Sequence, residues 1–238
     1  MNNSKYLKRK NEVLKYFELL KCINNTSPEL HFRQDVTVEI ENDVRMVSES
    51  RVHAIDGDLI DIMHANGFLI LYNLIEATMK DVYIAIFDEI SNSKISFEKL
   101  VEEVQIEWVK YELRDHKTGA KPKMVTELAN KILSQPDFTM VRDNLKFGGN
   151  LDAREIRTYA KNLNVSEPYH PQQDLLVVIK NLRNQLAHGG ETFIDVGKNY
   201  KYSDIEPYQI ATFGLLESLI NNVTTYLNDT SYKVNCPQ

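Results

Sequence analysis

The longest regular pattern of apolar residues in the chain runs through residues 67–90, GFLILYNLIEATMKDVYIAIFDEI. Apolar side chains recur there at steps of three and four residues, the spacing that places them on one side of an α-helix. The repeating positions are Phe68, Leu71, Ile75, Met79, Val82 and Ile86. Because further apolar residues flank this stripe, the pattern predicts a long, deeply buried helix that forms the spine of the fold.

Two shorter segments combine helical spacing with a residue suited to begin a helix. One follows Ser96, whose hydroxyl is placed to accept the free amide hydrogens of a first turn. Its apolar positions are Phe97, Leu100, Val104, Trp108 and Tyr111. The other opens with Asp152 and Glu155, a capping-box pattern that predicts a short helix ending near Leu163.

A closing helix is predicted near the carboxyl end of the chain. Ser203 and Glu206 repeat the capping-box pattern just before it. Its apolar seam consists of Phe213, Leu216, Ile220, Val223 and Leu227. Helical periodicity therefore dominates the chain and predicts an all-α fold.

Residues 36–55 fit two kinds of structure. Val36, Val38 and Ile40 alternate with polar residues as in a β-strand, but helical spacing fits the same region equally well. The positions that would form a helical stripe are Val36, Ile40, Val44 and Val47. We expect a small strand or hairpin in this region.

The loops contain glycine and proline, but none is long enough to separate domains. We therefore expect a single domain over residues 1–238. Residues 1–55 would supply an N-terminal helix and an extension, and residues 60–230 the helical core.

Residues 172–188 predict a helix with two different sides. At about 100° of turn per residue, its leucine and isoleucine residues form one core stripe. The stripe consists of Leu175, Ile179, Leu182 and Leu186. Asn184 and His188 fall roughly opposite, at about 180° and 220° from Leu175. His188 therefore points away from the core, and the two glycines that follow permit the left-handed backbone that ends a helix.

Two interpretations of His188 compete. By composition alone, it is a solvated polar residue near a helix end. However, Asn184 is spaced i,i+4 from His188, so its amide can reach the imidazole and fix its orientation. Arg183 flanks the same side, and a guanidinium grips phosphate oxygens while an imidazole moves protons near neutral pH. The combination indicates phosphodiester cleavage.

Several segments resemble one family of proteins. The motif LRNQLAHG (182–189) resembles the arginine, polar residue and histidine signature of the HEPN superfamily of helical domains, many of which are metal-independent ribonucleases. The segments ANGFLILYNLIEATMKDVYIAI (65–86), GGNLDAREIRTYAKNLNV (148–165) and LAHGGETF (186–193) are similar to those of MAE-type HEPN-like nucleases. The resemblance covers roughly residues 60–215.

The resemblance implies a helical bundle that forms a homodimer, with two copies of the motif facing each other across a shared cleft. Carried over by residue, Arg183 and His188 match the catalytic pair, and Asn184 matches the polar position. Some HEPN toxins carry a tyrosine two residues after the histidine, which a partner nucleotidyltransferase modifies. This chain has Gly190 there, so silencing by that route is not expected.

The activity that the resemblance implies is endoribonuclease action without metal or cofactor. The 2′-hydroxyl of the RNA substrate would attack the adjacent phosphorus. The setting would be a toxin or defence system, with an antitoxin or another protein as a further partner. Two alternatives stay open: a catalytically inactive HEPN module that binds a nucleotide or a protein, and a helical interaction protein in which the motif is a coincidence.

Two weaker groups of candidates lie elsewhere. Glu76 falls in the buried spine helix, where an unpaired carboxylate is unfavourable, so we expect a partner such as Arg183 or His188. Glu76 would then contact a catalytic side chain without touching the substrate. The alternative is a purely structural salt bridge. A basic stretch with aromatic residues at 108–123 either holds RNA and stacks a base or is the solvated side of a helix and its loop. Its candidate RNA-binding residues are Lys110, Arg114, Lys117, Lys121 and Lys123.

Composition narrows the classes of function. The chain has 238 residues, 42% of them hydrophobic and 26% charged, which is typical of a globular protein. A net charge of −6 disfavours a surface covered with basic patches. The two cysteines form no CxxC pattern, which fits reduced thiols. Because the sequence shows neither a membrane span nor a secretory signal, we expect a cytoplasmic location.

Other chemistries lack their sequence patterns. The histidines form no HxH or HExxH spacing, so no metal site is predicted. No GxGxxG, P-loop or GxSxG motif occurs, which disfavours the nucleotide-binding and hydrolase classes that depend on them.

Overall fold

A computed structural model describes residues 3–24, 28–40, 43–113, 122–134 and 149–234. The all-α fold predicted from the sequence is confirmed, with one β-hairpin among the described elements. The helices are α1 (Ser4–Asn24), α2 (Gly57–Asn92), α3 (Glu102–Leu113), α4 (Pro122–Ser134), α5 (Ala153–Asn162), α6 (Leu175–Ala187), α7 (Phe193–Gly197) and α8 (Tyr202–Asn228). The strands are β1 (Glu29–Ile40) and β2 (Asp43–Ala54).

The predicted spine is α2, a helix of 36 residues. At about 1.5 Å per residue it is about 54 Å long. The Asp56 carboxylate caps its start by accepting the Leu59 amide hydrogen at 2.9 Å. All six residues of the predicted stripe are at most 2% exposed. None of the helices in the described part of the chain combines the length and apolar character that crossing a bilayer requires.

Helices α1, α6, α7 and α8 pack around α2. The predicted seam of α8 is confirmed, since each of its five residues is at most 9% exposed. The start of α8 differs from the prediction, because Asp204 rather than Ser203 makes the cap. Its carboxylate accepts the backbone amide hydrogen of Lys201 at 2.8 Å, and Glu206 instead accepts the hydroxyl of Tyr202 at 2.9 Å.

The helix predicted behind Ser96 is interrupted. Residues Phe97–Lys99 form a 3₁₀ turn, the Ser96 hydroxyl accepts no amide hydrogen of that turn, and α3 begins only at Glu102. The cause is a contact with the end of the chain, where the Val101 amide donates to the Tyr232 carbonyl at 3.0 Å. That hydrogen bond uses backbone that a continuous helix would need.

The hairpin connects α1 to α2. Its strands pair antiparallel over twelve residues each, from Glu29 opposite Ala54 at the base to Ile40 opposite Asp43 at the far end. The strand or hairpin expected within residues 36–55 is therefore confirmed in kind and begins earlier. Within the described ranges, no third strand joins the hairpin.

Helix α7 makes a close backbone approach to α2. Gly197 faces the carbonyl of Asp61 so closely that a Cβ atom at position 197 would lie 1.8 Å from the oxygen. The neighbouring Val196 is buried against Ala65 and Leu186. This small helix therefore ties the segment that follows α6 to the spine.

Replacing Gly197 by alanine is expected to destabilise the fold, because α7 must move away from the Asp61 carbonyl. Overpacking of this kind commonly costs about 1–3 kcal/mol, so the urea midpoint of unfolding should fall. Gly57→Ala is the matched control, since a Cβ atom there meets nothing within 4 Å. Equal midpoints for the two variants would contradict the close approach.

His64 lies in the same region of α2 and is buried without polar contacts. It is 3% exposed, and neither ring nitrogen has a hydrogen-bond partner among the described residues. Burial lowers the pKa of His64, and the carboxylates of Asp61 and Asp204 oppose this effect only in part. The folded protein therefore holds this imidazole in its neutral form at a pH where an unfolded chain begins to protonate it.

Acid is expected to destabilise the protein through His64. Because its pKa is lower in the folded state, the unfolded chain takes up the proton first as the pH falls below about 6.5, and stability is lost until the folded pKa is passed. Urea unfolding at about pH 7 and about pH 5 should show that His64→Leu gains stability relative to wild type at the lower pH. An unchanged difference would exclude a contribution from His64.

Candidate active site

Helix α6 carries the motif predicted from the sequence. It begins at Leu175 rather than near residue 172, because the residues just ahead of it form turns. Its most buried residues are Leu176, Ile179 and Leu186. Leu175 and Leu182, which belong to the predicted stripe, are only partly buried. The buried side of α6 is therefore rotated slightly towards Leu176.

The Arg183 guanidinium is held from several sides. Its central carbon lies 4.5 Å from the centre of the Tyr72 ring, a cation–π contact. Nη2 is 3.5 Å from Oε1 of Glu76, and Nη1 donates to the Gly149 carbonyl at 3.4 Å and to Oδ1 of Asn184 at 3.0 Å. The Arg183 side chain is 25% exposed, so the group is fixed in position and still reaches solvent.

Tyr72 forms the floor under this guanidinium. It is fully buried in α2, and its hydroxyl accepts the Leu151 amide hydrogen at 3.2 Å. Burial raises the pKa of Tyr72, so the phenol stays neutral. The tyrosine therefore joins three parts of the chain at one point: the spine, the segment before α5, and the motif helix.

Gly149 approaches the same guanidinium with its backbone. Its φ of 69° lies in the left-handed region, which residues with a side chain rarely adopt. A Cβ atom at this position would lie 3.1 Å from Nη1 of Arg183. Both the backbone conformation and the space left for Arg183 therefore favour glycine here.

Lys180, one turn before Arg183, anchors α6 to α5. Its Nζ lies 2.9 Å from one Asp152 carboxylate oxygen, and the other oxygen accepts the Glu155 amide hydrogen at 3.0 Å. The predicted start of α5 is thus confirmed. Burial alone would raise the pKa of Asp152, but the hydrogen bonds from Lys180 and Glu155 outweigh it and lower the pKa.

Asn184 makes different contacts from those that its spacing predicts. Its carbonyl oxygen accepts from Arg183, and its amide donates to Oδ1 of Asn150 at 3.2 Å. The backbone keeps its i,i+4 relation, since the His188 amide donates to the Asn184 carbonyl at 3.0 Å, but the Asn184 side chain is engaged by Arg183 and Asn150. In the structure the Asn184 side chain thus contacts the guanidinium of Arg183 rather than the imidazole of His188.

His188 is exposed at the end of α6, as the helical geometry predicts. Gly189 follows with φ 68° and ends the helix. Within the part of the chain that the structure describes, the His188 side chain makes no hydrogen bond, although its backbone amide donates to the Asn184 carbonyl at 3.0 Å. The imidazole is therefore available to an incoming group.

Arg183 and His188 leave the helix in different directions. They are five residues apart, which corresponds to a rotation of about 140° around the helix axis. A single copy of the chain thus presents, on one side of α6, a guanidinium fixed by its neighbours and, on another, an imidazole without a hydrogen bond to the described residues.

A family model describes MAE_28990-like HEPN proteins, and it matches residues 4–232 of the chain. The chain belongs to this HEPN family. It matches no curated protein and no solved structure. The resemblance carried by the motif segments is thereby confirmed and extended to the N-terminal helix. Membership of the HEPN superfamily suggests a nuclease or another RNA-related function.

The basic residues proposed to bind RNA are only partly described in this HEPN chain. Lys110 and Lys123 are 54% and 88% exposed, and each lies within 4 Å of a glutamate of its own helix. Trp108 is 4% exposed and packs against the ring of Phe97, so it belongs to the core and cannot stack a base. The remaining candidates, Arg114, Lys117 and Lys121, lie outside the described residues.

Sequence reasoning placed Glu76 near the HEPN motif but missed three of its neighbours. Tyr72 lies one helical turn before Glu76, so the sequence pattern alone could have placed its aromatic ring on the same side of α2 as Glu76. Gly149 and Asn150 are distant in sequence from α6, and no local pattern marks them. Among the described residues, no group of three or more histidine, cysteine or acidic side chains is arranged to hold a metal ion.

Gly149→Ala is expected to displace Arg183 in addition to straining the backbone. Gly189→Ala is the matched control, because its φ is nearly the same but a Cβ atom there meets nothing within 4 Å. Left-handed backbone costs about 1–2 kcal/mol in either variant, so any excess loss in Gly149→Ala reports the contact with Arg183. That excess should disappear in an Arg183→Ala background. An excess that persists without the guanidinium would contradict the contact.

Proposed function

We propose that this HEPN protein is an endoribonuclease that cleaves RNA through the substrate's own 2′-hydroxyl, at a site shared by two copies of the chain. The observation that carries the proposal is that one helix presents a guanidinium fixed by its neighbours, Arg183, and on another side an exposed imidazole, His188. These are the side chains best suited to hold a phosphate and to move a proton near neutral pH. The route itself requires neither a metal nor an organic cofactor.

The reaction is a transfer at phosphorus within the substrate. One imidazole accepts the proton of the 2′-hydroxyl as its oxygen bonds to phosphorus, and the bond from phosphorus to the 5′-oxygen breaks. The same imidazole, now protonated, donates that proton to the leaving oxygen. The products are a 2′,3′-cyclic phosphate and a 5′-hydroxyl. Each proton transfer of this kind contributes about a hundredfold to ten-thousandfold in rate.

Arg183 would stabilise the negative charge that develops on the phosphoryl oxygens. Its three described acceptors belong to Glu76, Gly149 and Asn184, which leaves two of its five N–H donors for a substrate. Because the stacking on Tyr72 already fixes the group, little reorganisation is needed when charge appears. Glu76 and Asn184 therefore act as positioning residues.

A second copy is proposed because one copy holds its two motif side chains apart. A rotation of about 140° separates Arg183 from His188 around α6, which disfavours their meeting at one phosphate. A homodimer with a twofold axis beside α6 brings the imidazole of one copy to the guanidinium of the other. We further propose that the chain forms a single domain and lies in the cytoplasm. We also propose that it acts as a toxin or defence effector, with an antitoxin as its partner.

The proposal predicts that RNA cleavage depends on both motif residues. His188→Ala and Arg183→Ala should each reduce the cleavage rate by about a hundredfold or more, and the products should carry 2′,3′-cyclic phosphate ends. Arg154→Ala, an exposed arginine on α5, and His31→Ala, an exposed histidine on β1, are the matched controls. RNA with a single 2′-deoxy position at the cleaved bond should resist cutting. Undiminished cleavage by either motif variant would exclude the assignment.

Mixing the two inactive variants tests whether the site is shared. In a mixed dimer, one of the two sites combines the intact Arg183 of one chain with the intact His188 of the other, so activity should return on mixing. Circular dichroism of each variant separates this result from misfolding. Absence of recovery, with mixed dimers present, would place both residues in one copy.

A second candidate function is favoured by the contacts that already engage the Arg183 guanidinium, with the Tyr72 ring, the Glu76 carboxylate and the Gly149 carbonyl. In that case the motif face binds a nucleotide or a protein partner without turnover. Nucleotide binding that depends on Arg183, together with intact RNA after long incubation at high protein concentration, would favour this alternative over the nuclease.

A further inference from the structure

Asn150 lies in the short segment before α5, and contacts on both sides of it fix its position. The carbonyl of the preceding residue, Gly149, lies 3.4 Å from Nη1 of Arg183. The amide of the following residue, Leu151, donates to the Tyr72 hydroxyl at 3.2 Å. Consecutive Cα atoms are about 3.8 Å apart, and Asn150 itself is exposed. The backbone therefore holds an exposed amide side chain close to the guanidinium.

A chain of hydrogen bonds connects the Asn150 amide to Arg183. Nη1 of Arg183 donates to Oδ1 of Asn184 at 3.0 Å, and Nδ2 of Asn184 donates to Oδ1 of Asn150 at 3.2 Å. The first bond sets the direction of the second, because a guanidinium carries N–H donors and no acceptor. Arg183 thus faces the oxygen of Asn184, which leaves the Asn184 NH₂ group to donate to the oxygen of Asn150.

The outer end of this chain is a pair of N–H donors. Because the Asn150 oxygen already accepts from Asn184, the unused group is Nδ2 of Asn150, which has no acceptor among the described residues. Hydrogen bonds in a chain polarise one another, so the positive charge of Arg183 strengthens the Asn150 donors. Donors of this kind form their strongest hydrogen bonds with ionised oxygens. The exposed end of the chain is therefore suited to an anionic oxygen of a ligand.

On the basis of the proposed nuclease function, we propose that Asn150 is a substrate-binding residue. Its NH₂ group donates to a phosphoryl oxygen of the RNA, at the scissile phosphate or at the phosphate next to it. Phosphoryl oxygens fit because each phosphate of a nucleic acid strand carries a negative charge. Asn184 then orients two donor groups at once, the guanidinium of Arg183 and the amide of Asn150.

A purely structural role for Asn150 has different consequences. In that role only its oxygen matters, because the oxygen holds the Asn184 amide and through it the guanidinium. Aspartate has nearly the same shape as asparagine and keeps this oxygen, but it replaces the NH₂ group with a second acceptor. Alanine removes both groups. The order of the aspartate and alanine variants in RNA binding therefore separates the two roles.

RNA binding is measured by fluorescence anisotropy with a short single-stranded RNA, in a His188→Ala background that leaves the RNA intact. Asn150→Ala should weaken binding by about tenfold, and Asn150→Asp by more, because the carboxylate repels the phosphate. Asn181→Asp is the matched control, since it makes the same change at an exposed asparagine of α6. Tighter binding by Asn150→Asp than by Asn150→Ala, or equal losses in Asn150→Asp and Asn181→Asp, would overturn the proposal.

A neutral methylphosphonate, placed at each phosphate of the RNA in turn, identifies the contacted group. At the contacted phosphate, the substitution should reduce the difference in affinity between the protein with Asn150 and the Asn150→Asp variant. At the other phosphates the difference should stay the same. A difference that persists at every phosphate, or that follows the identity of a base instead, would overturn the assignment to a phosphoryl oxygen.

The hydrogen-bond chain has its own readout. In an Asn184→Ala background, the Asn150 amide loses the bond that orients it, so the effect of Asn150→Asp should shrink. An unchanged effect, or no RNA binding by the His188→Ala protein, would overturn the proposal. Cleavage by the wild-type protein tests the nuclease function separately. If the wild type cuts no RNA, that function fails, while the order of the Asn150 variants in binding still decides the role of Asn150.

Discussion

The stacking of the Arg183 guanidinium on the buried Tyr72 ring is the contact on which the rest of the site depends. Tyr72 belongs to the spine helix, Arg183 to the motif helix, and the Gly149 carbonyl to the segment before α5. Cation–π contacts gain strength when the pair is shielded from water, and here the ring is fully buried. Glu76 balances the positive charge on one side, so the guanidinium is fixed by neighbours that differ in kind.

The two motif residues differ in the number of their contacts as well as in their direction. Arg183 is restrained by a ring, a carboxylate, a carbonyl and an amide, while His188 projects from the last turn without a described hydrogen bond. A fixed group suits the binding of charge that appears during a reaction, and a freer imidazole suits proton transfer. The same helix therefore carries one restrained and one unrestrained functional group.

Much of the fold was predictable because it depends on local spacing. The buried stripe of α2, the seam of α8 and the outward direction of His188 follow from helical geometry alone. The interruption before α3 was not predictable, since it results from a hydrogen bond to Tyr232 at the far end of the chain. The contacts of Asn184 were missed for a similar reason, because Asn150 is distant in sequence. The catalytic roles of Arg183 and His188 stay predictions.

Asp152 divides its carboxylate between two helices, one oxygen for the first turn of α5 and the other for Lys180 on α6. Neither helix can turn about its axis without stretching a bond that belongs to the other. Lys180 lies one turn before Arg183, so the carboxylate that begins α5 also helps to fix the part of α6 from which the guanidinium projects.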